Sequence, residues 1–165
     1  MGAEPCARLL RQPGKGDVFM LIKQISQISV FVENKPGRLS EITDVLAKNQ
    51  INLRALSIAD TTDFGILRLI VNDPDRAMSV IRDAGFTASL TNVLAVSLRD
   101  ETGALAGVMQ TLYEAQITVE YIYAFIGAVD QQAYVIIRVE DNDGAIRAMQ
   151  KRGIELLDAE KIYSM

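Results

Sequence analysis

Apolar positions in this chain alternate in short runs, shift to three-and-four spacing, and then repeat the whole pattern. Between residues 22 and 32 the apolar positions Ile28, Val30 and Val32 alternate with polar ones, which predicts a strand. Gln24-Ile25-Ser26 is repeated at once as Gln27-Ile28-Ser29, so the outer register of that strand stays open. Leu39, Ile42, Val45 and Leu46 then share one helical face, with Asp44 and Lys48 as an i,i+4 pair. Residues 53–59 and 66–71 read as strands rich in β-branched and aliphatic side chains. Asp73-Pro74 is a helix start, an acid at the cap followed by proline at the first helical position. That helix should run to Ala84 and close on Gly85 in a left-handed cap, with a strand at 86–90 behind it.

The second half follows the same plan: a strand at 93–99, a helix at 103–115, and strands at 119–125 and 134–139. Asp141 caps a further helix that ends before Gly153, and 154–157 begins the last strand. The copies align at a constant offset of 66 for Gly37 and Gly103, Leu39 and Leu105, Ile42 and Val108, and Ile51 and Ile117. The offset becomes 68 for Val71 and Val139, Ala77 and Ala145, and Gly85 and Gly153, so one loop carries two extra residues. Two similar small domains follow from such a duplication. Each reads β-α-β-β-α-β, which connection rules turn into an antiparallel four-stranded sheet with both helices on one face. The fold class is therefore α+β, two ferredoxin-like units at 21–91 and 92–165. The other face of each sheet is left to find cover. Pro5, Pro13, Gly14 and Gly16 interrupt any pattern in residues 1–20, which read either as a segment upstream of a natural start at Met20 or as a real, poorly ordered extension.

Composition narrows the chemistry. Hydrophobic residues make up 49% of the 165, an excess that suits surface buried between the repeats or between subunits. A net charge of -4 argues against a nucleic-acid partner, which needs a basic face to displace counterions. Apolar runs fall short of a membrane span, and the expected location is the cytoplasm. The chain has no histidine, which removes the commonest general base and metal ligand. Cys6 is the one cysteine, so neither a disulfide framework nor a thiolate zinc cluster is available. The acids are scattered without ligand spacing, and no metal or other cofactor is expected.

The segment Glu33-Asn34-Lys35-Pro36-Gly37-Arg38-Leu39, with its helix and Ile51-Asn52-Leu53 leading to Ala59-Asp60, resembles an ACT domain. The second unit resembles one in weaker form, and together they span nearly everything from Met20 onward. The resemblance implies a stand-alone, non-catalytic tandem of ligand-sensing modules, most often specific for amino acids. It further implies a ligand held between two units, by the loop from first strand to first helix and by residues near the neighbour's second strand. Asn34, Lys35, Pro36, Gly37, Arg38, Leu39 and Asp60 are the matching positions in the first copy, and Asp100, Thr102, Gly103, Ala104 and Leu105 in the second. Thr102 stands where proline is common, beside acids at Asp100 and Glu101, and this counts against the second copy's site. Gln50 and Gln116 occupy the place of a common helix-closing glycine, so those helices are expected to end without a left-handed residue.

The turn chemistry suits an amino acid on its own terms. The first turn of a helix leaves backbone N–H groups unpaired, and its dipole favours anions. A ligand carboxylate can approach the amides of Gly37, Arg38 and Leu39, with Arg38 adding charge, while Asn34 and Asp60 face its ammonium. Pro36 presets the loop before binding. The bland readings stand beside these: Gly37 as a tight turn, Lys35 and residues 60–63 as solvated loop. Tyr121, Tyr123 and Phe125 share a strand face and read as core or interface packing in preference to a stacking platform. A homodimer is expected from the apolar excess, with a metabolic enzyme as a partner. The alternative function is a regulatory subunit of an amino-acid biosynthetic enzyme. A small acid–base enzyme ranks last, because no convergent pair of titratable groups is visible.

Overall fold

The computed structural model describes residues 24–61, 63–126 and 132–165; the expected extension at 1–20 and Thr62 lie outside the described residues. In chain order the elements are β1 (Ile25–Glu33), α1 (Arg38–Lys48), β2 (Leu53–Asp60), β3 (Phe64–Val71), α2 (Pro74–Asp83) and β4 (Thr87–Arg99). There follow α3 (Ala104–Glu114), β5 (Val119–Ile126), β6 (Gln132–Val139), α4 (Asn142–Lys151), β7 (Glu155–Leu157) and α5 (Ala159–Ser164). The two extra residues of the second copy fall between β5 and β6.

The strands form one antiparallel sheet in the order β2-β3-β1-β4-β6-β5, with β7 also on β4. Each half keeps the ferredoxin-like order, but the expected last strand of the first unit and first strand of the second are one strand. β4 is 13 residues long: Thr87 to Val93 pairs with β1, and Leu94 to Arg99 pairs with β6. The expected division between residues 91 and 92 thus falls inside a strand. Thr91 and Asn92 do not break it, because the Asn92 carbonyl accepts from Arg138 Nη1 at 2.9 Å and from Asn142 Nδ2 at 3.2 Å at the handover.

Strand alternation sorts the core into three clusters. On the helix side of the first half, Ile28, Val30 and Val32 pack with Ile42, Leu46 and Ile81. Leu94, Val96 and Ile137 pack with Val108, Leu112 and Met149 in the second. The open register of β1 is settled here: Ile28 faces the helices, whereas Ile25 and Gln27 lie on the other face and are fully buried.

The faces without helices cover each other in part, leaving Phe31, Phe64 and Ile66 of the first half exposed. Ile25, Ala55 and Ile70 of the first half cluster with Val93, Ala95 and Ile136. Tyr121, Tyr123 and Phe125 pack against this cluster, the core reading of the sequence. Gln27 sits at its centre. Its Nε2 donates to the Tyr121 hydroxyl at 2.7 Å, and its Oε1 accepts from the Tyr123 hydroxyl at 2.9 Å. The Arg68 guanidinium lies 3.9 Å from the Tyr121 ring centroid. Burial pushes the Tyr123 phenol well above the usual tyrosine pKa, so it stays a hydrogen-bond donor. The short helix α5, which the pattern did not announce, completes the cover with Ala159 and Ile162.

Helix ends follow two rules. Asp73 and Asp141 cap α2 and α4 by accepting from Arg76 N at 3.1 Å and Gly144 N at 2.9 Å, and Gly85 and Gly153 close them with φ of 87° and 67°. The expectation for α1 and α3 was wrong. Gln50 and Gln116 adopt φ of 56° and 57°, so both helices do end on a left-handed residue, and it carries a side chain. The Ile51 N–H bond to the Leu46 carbonyl at 2.9 Å and that of Ile117 to Leu112 at 3.0 Å complete the motif. These bonds, with the two isoleucines drawn inward, hold the glutamines in place. Left-handed geometry costs a residue with a Cβ about 1–2 kcal/mol, of which glycine returns about 0.5–1 kcal/mol through the unfolded state. Gln50→Gly and Gln116→Gly are each expected to raise stability by about 0.5–1 kcal/mol, read as a higher urea midpoint at unchanged slope.

Candidate functional site

Each glycine turn is built the same way. Lys35-Pro36-Gly37-Arg38 closes with Arg38 N donating to the Lys35 carbonyl at 3.3 Å, and Gly37 has φ 89° and ψ -19°. Glu101-Thr102-Gly103-Ala104 closes with Ala104 N on the Glu101 carbonyl at 3.3 Å, and Gly103 has φ 93° and ψ -13°. Both are type II turns, in which the third residue requires positive φ. A Cβ on either glycine would meet nothing within 4 Å, so the sign of φ explains the glycine, and open space lies beside it. Thr102 reproduces the proline turn without the ring.

Two of the three first-turn amides remain available. Arg38 N–H is used by the turn itself, contrary to the expectation that all of Gly37, Arg38 and Leu39 face a ligand. The amides of Gly37 and Leu39, and of Gly103 and Leu105, have no acceptor among the described residues. Neither helix has a side-chain cap.

Polar groups around the first turn are committed to one another. Asn34 N donates to the Asp63 carbonyl at 2.9 Å, and Asn34 Nδ2 to the Thr61 carbonyl at 3.0 Å, which ties the turn to the β2–β3 hairpin next to Asp60. Lys35 Nζ lies 3.3 Å from Glu33 Oε2. Arg38 is held by Glu41 at 2.5 Å, approaches Glu33 at 3.9 Å, and stacks 4.6 Å above the Phe86 ring. Asn34 through Leu39 are therefore one cluster, with Asp60 exposed at the hairpin beside it.

Asp100, Thr102, Gly103, Ala104 and Leu105 stand at the far end of β4. Phe31 pairs with Thr87 just before the first turn, whereas the second turn follows Arg99. The strand therefore puts the two turns at its opposite ends.

A groove of about 570 Å³ opens at the second turn. Its walls include Glu101, Ala104 and Gly107 at the start of α3, and Arg152 and Ile154 behind α4. Arg99, Ser97 and Gln132 also line it, with the Ser97 hydroxyl bonded to Gln132 Oε1 at 2.9 Å. Arg99 and Glu101 carry no ion pair among the described residues, so charges of both signs face the space. Arg152 pairs with Glu114 at the rim. Of the residues singled out from sequence, Ala104 alone lines this groove. Gly107, Gln132 and Arg152 were missed, although aligning the copies residue by residue puts Gly107 opposite Glu41. Among the described residues no cluster of three potential metal ligands occurs, and no helix is long and apolar enough to cross a membrane.

The family model for the ACT domain pair matches residues 23–165. A crystal structure of a protein from Bacteroides thetaiotaomicron is 41% identical and superposes with a TM-score of 0.83, covering 87% of this chain and 99% of that one. The regulatory subunit of aspartate kinase from Thermus thermophilus shares the fold at 18% identity and a TM-score of 0.57, over 78% of this chain and 91% of that one. A comparison with curated proteins finds no match. A repeated βαββαβ unit with left-handed glycine turns opening α1 and α3, matched across nearly all of the described chain, establishes that the protein belongs to the ACT domain pair family.

Proposed function

We propose that this ACT pair is a non-catalytic regulatory protein that binds a small ligand, most suitably an amino acid, at a strand–helix glycine turn. The observation that carries the reading is the repeated type II turn, which opens α1 and α3 on two N–H groups each that have no acceptor among the described residues. Helix N-termini of this kind attract carboxylates. The turn is rigid before binding, because strand pairing and the turn's own bond fix its backbone, and this limits the entropy lost on docking. The cytoplasm is the proposed location.

A second reading makes the chain a regulatory subunit of an amino-acid biosynthetic enzyme. Leu56 and Ile58 on the edge strand β2 favour it, being 58% and 42% exposed, an apolar strip that a partner enzyme or a second copy could cover.

Thermal unfolding against each standard amino acid tests the first reading. Ligand at 100 times its dissociation constant stabilises by about 2.7 kcal/mol, which for a chain of this length is a rise of roughly 5 to 11 °C. One amino acid, or a few related ones, should give that rise. Flat traces across the whole set would overturn the reading. Recovery of a biosynthetic enzyme with the tagged chain, together with flat traces, would favour the second.

A further inference from the structure

We propose that the pair is asymmetric: the second copy alone takes the ligand, an α-amino acid zwitterion, in the groove between the start of α3 and the α4–β7 connection. In the first copy the matching space is filled by the chain's own side chains. The inference rests on the binding reading above and adds which copy binds, how many ligands are held and what they touch.

The argument compares four positions. In the first copy Arg38, Glu41, Glu33 and Phe86 form one assembly, the guanidinium 2.5 Å from Glu41, 3.9 Å from Glu33 and 4.6 Å above the Phe86 ring. Their counterparts at the repeat offsets are Ala104, Gly107, Arg99 and Ile154. All four line the groove of the second copy. A plugged cation–carboxylate pair in one copy is thus a methyl group and a bare helix backbone in the other. A Cβ on Gly107 would meet nothing within 4 Å, so this glycine answers no packing demand of the chain itself. It also sits inside α3, where glycine is a poor helix former. Both facts are explained if the space is kept for something else.

The lining selects the occupant. Arg99 offers an anchor for a carboxylate, and Glu101 one for an ammonium, on a floor that includes Leu98, Val108 and Ile154. Groups of both signs beside an apolar floor match a zwitterion with a small side chain better than a dianion or a neutral apolar molecule. In the first copy Arg38 and Glu41 supply the same two charges internally.

Calorimetric titration of the full chain with each standard amino acid tests the proposal. One molecule per chain is expected. Gly107→Glu, and Ala104→Arg combined with Gly107→Glu, rebuild the first copy's plug and should weaken binding at least tenfold, with circular dichroism unchanged. If the double variant does not fold, Gly107→Glu decides alone, since its side chain starts in open space on a helix. Two molecules per chain, or wild-type affinity in the folded variants, would overturn the asymmetry while leaving the regulatory reading intact. Absence of binding in the wild-type chain would overturn both.

Discussion

Gln27→Leu should lower the unfolding free energy by about 2–4 kcal/mol, the combined cost of leaving part-buried hydroxyl groups without their partner. Gln27 is fully buried, and its amide bonds the Tyr121 and Tyr123 hydroxyls at 2.7 and 2.9 Å and the Ser29 hydroxyl at 3.1 Å. Leucine nearly matches its volume, so the substitution removes polar partners without opening a cavity. The tyrosines belong to β5 and the glutamine to β1, elements on opposite sides of β4 in the strand order. The bonds therefore join the two halves across their common face. Urea unfolding monitored by circular dichroism is the measurement, with the slope unchanged and the midpoint lower. A change under about 0.5 kcal/mol would place Gln27 among ordinary surface substitutions and refute its role as the polar link.

Ile162→Ala is expected to cost about 2–4 kcal/mol, the range for truncating a buried aliphatic side chain, because α5 is integral to the core despite its length. Ile162 is fully buried among Ile25, Leu157 and Ala159. Two polar contacts fix the helix around it: the Tyr163 hydroxyl accepts from Ser26 N at 2.8 Å, and Arg54 donates to the Tyr163 carbonyl at 3.0 Å through Nη2. For a chain of this size the loss corresponds to a melting point lower by roughly 4 to 16 °C. Lys161→Ala on the exposed side of the same helix is the control. Its side chain is 56% exposed and meets Glu155 at 3.5 Å, a surface pair worth about 0–1 kcal/mol. Equal effects of the two substitutions would show α5 to be a loosely attached tail.

Both predictions bear on how a ligand at one end could be felt elsewhere. The groove is lined by Ser97 and Arg99 of β4, and the same strand, at Thr87 to Val93, pairs with β1 of the first half. Gln27 locks that half to β5. A ligand held beside the second turn acts on a strand both halves share, so stabilisation should extend to the whole chain and appear as a single unfolding transition.

Local sequence settled a great deal here. The two-residue and three-and-four-residue periods, each imposed by burying one face, together with the Asp73 and Asp141 caps and the repeat placed the strands and the four long helices, with β4 read as two strands. Gly85 was legible as a left-handed cap, and Gly37, Gly103 and Gly153 share its positive φ, which is cheap only without a Cβ. The same rule failed at Gln50 and Gln116, where tertiary packing of Ile51 and Ile117 outweighs a local cost of about 1–2 kcal/mol. At six residues α5 was too short to show a period, and only Ile162 meeting Ile25, far away in the chain, makes it a helix worth forming.

The candidate site divided in the same way. The glycine turns were legible because a type II turn is written in four consecutive residues. The groove was not, since Ser97 and Gln132 converge through the sheet with Arg152 at the end of α4, and the three share no motif. Sequence by itself determined the repeat, the periods, the turns and the family. Tertiary structure alone decided that β4 is one strand, that the faces without helices meet in a shared cluster, and that a groove opens at the start of α3 where Arg38 and Glu41 pair at the start of α1. Those outcomes depend on which distant surfaces meet, and a linear pattern encodes that a face must be buried without saying against what.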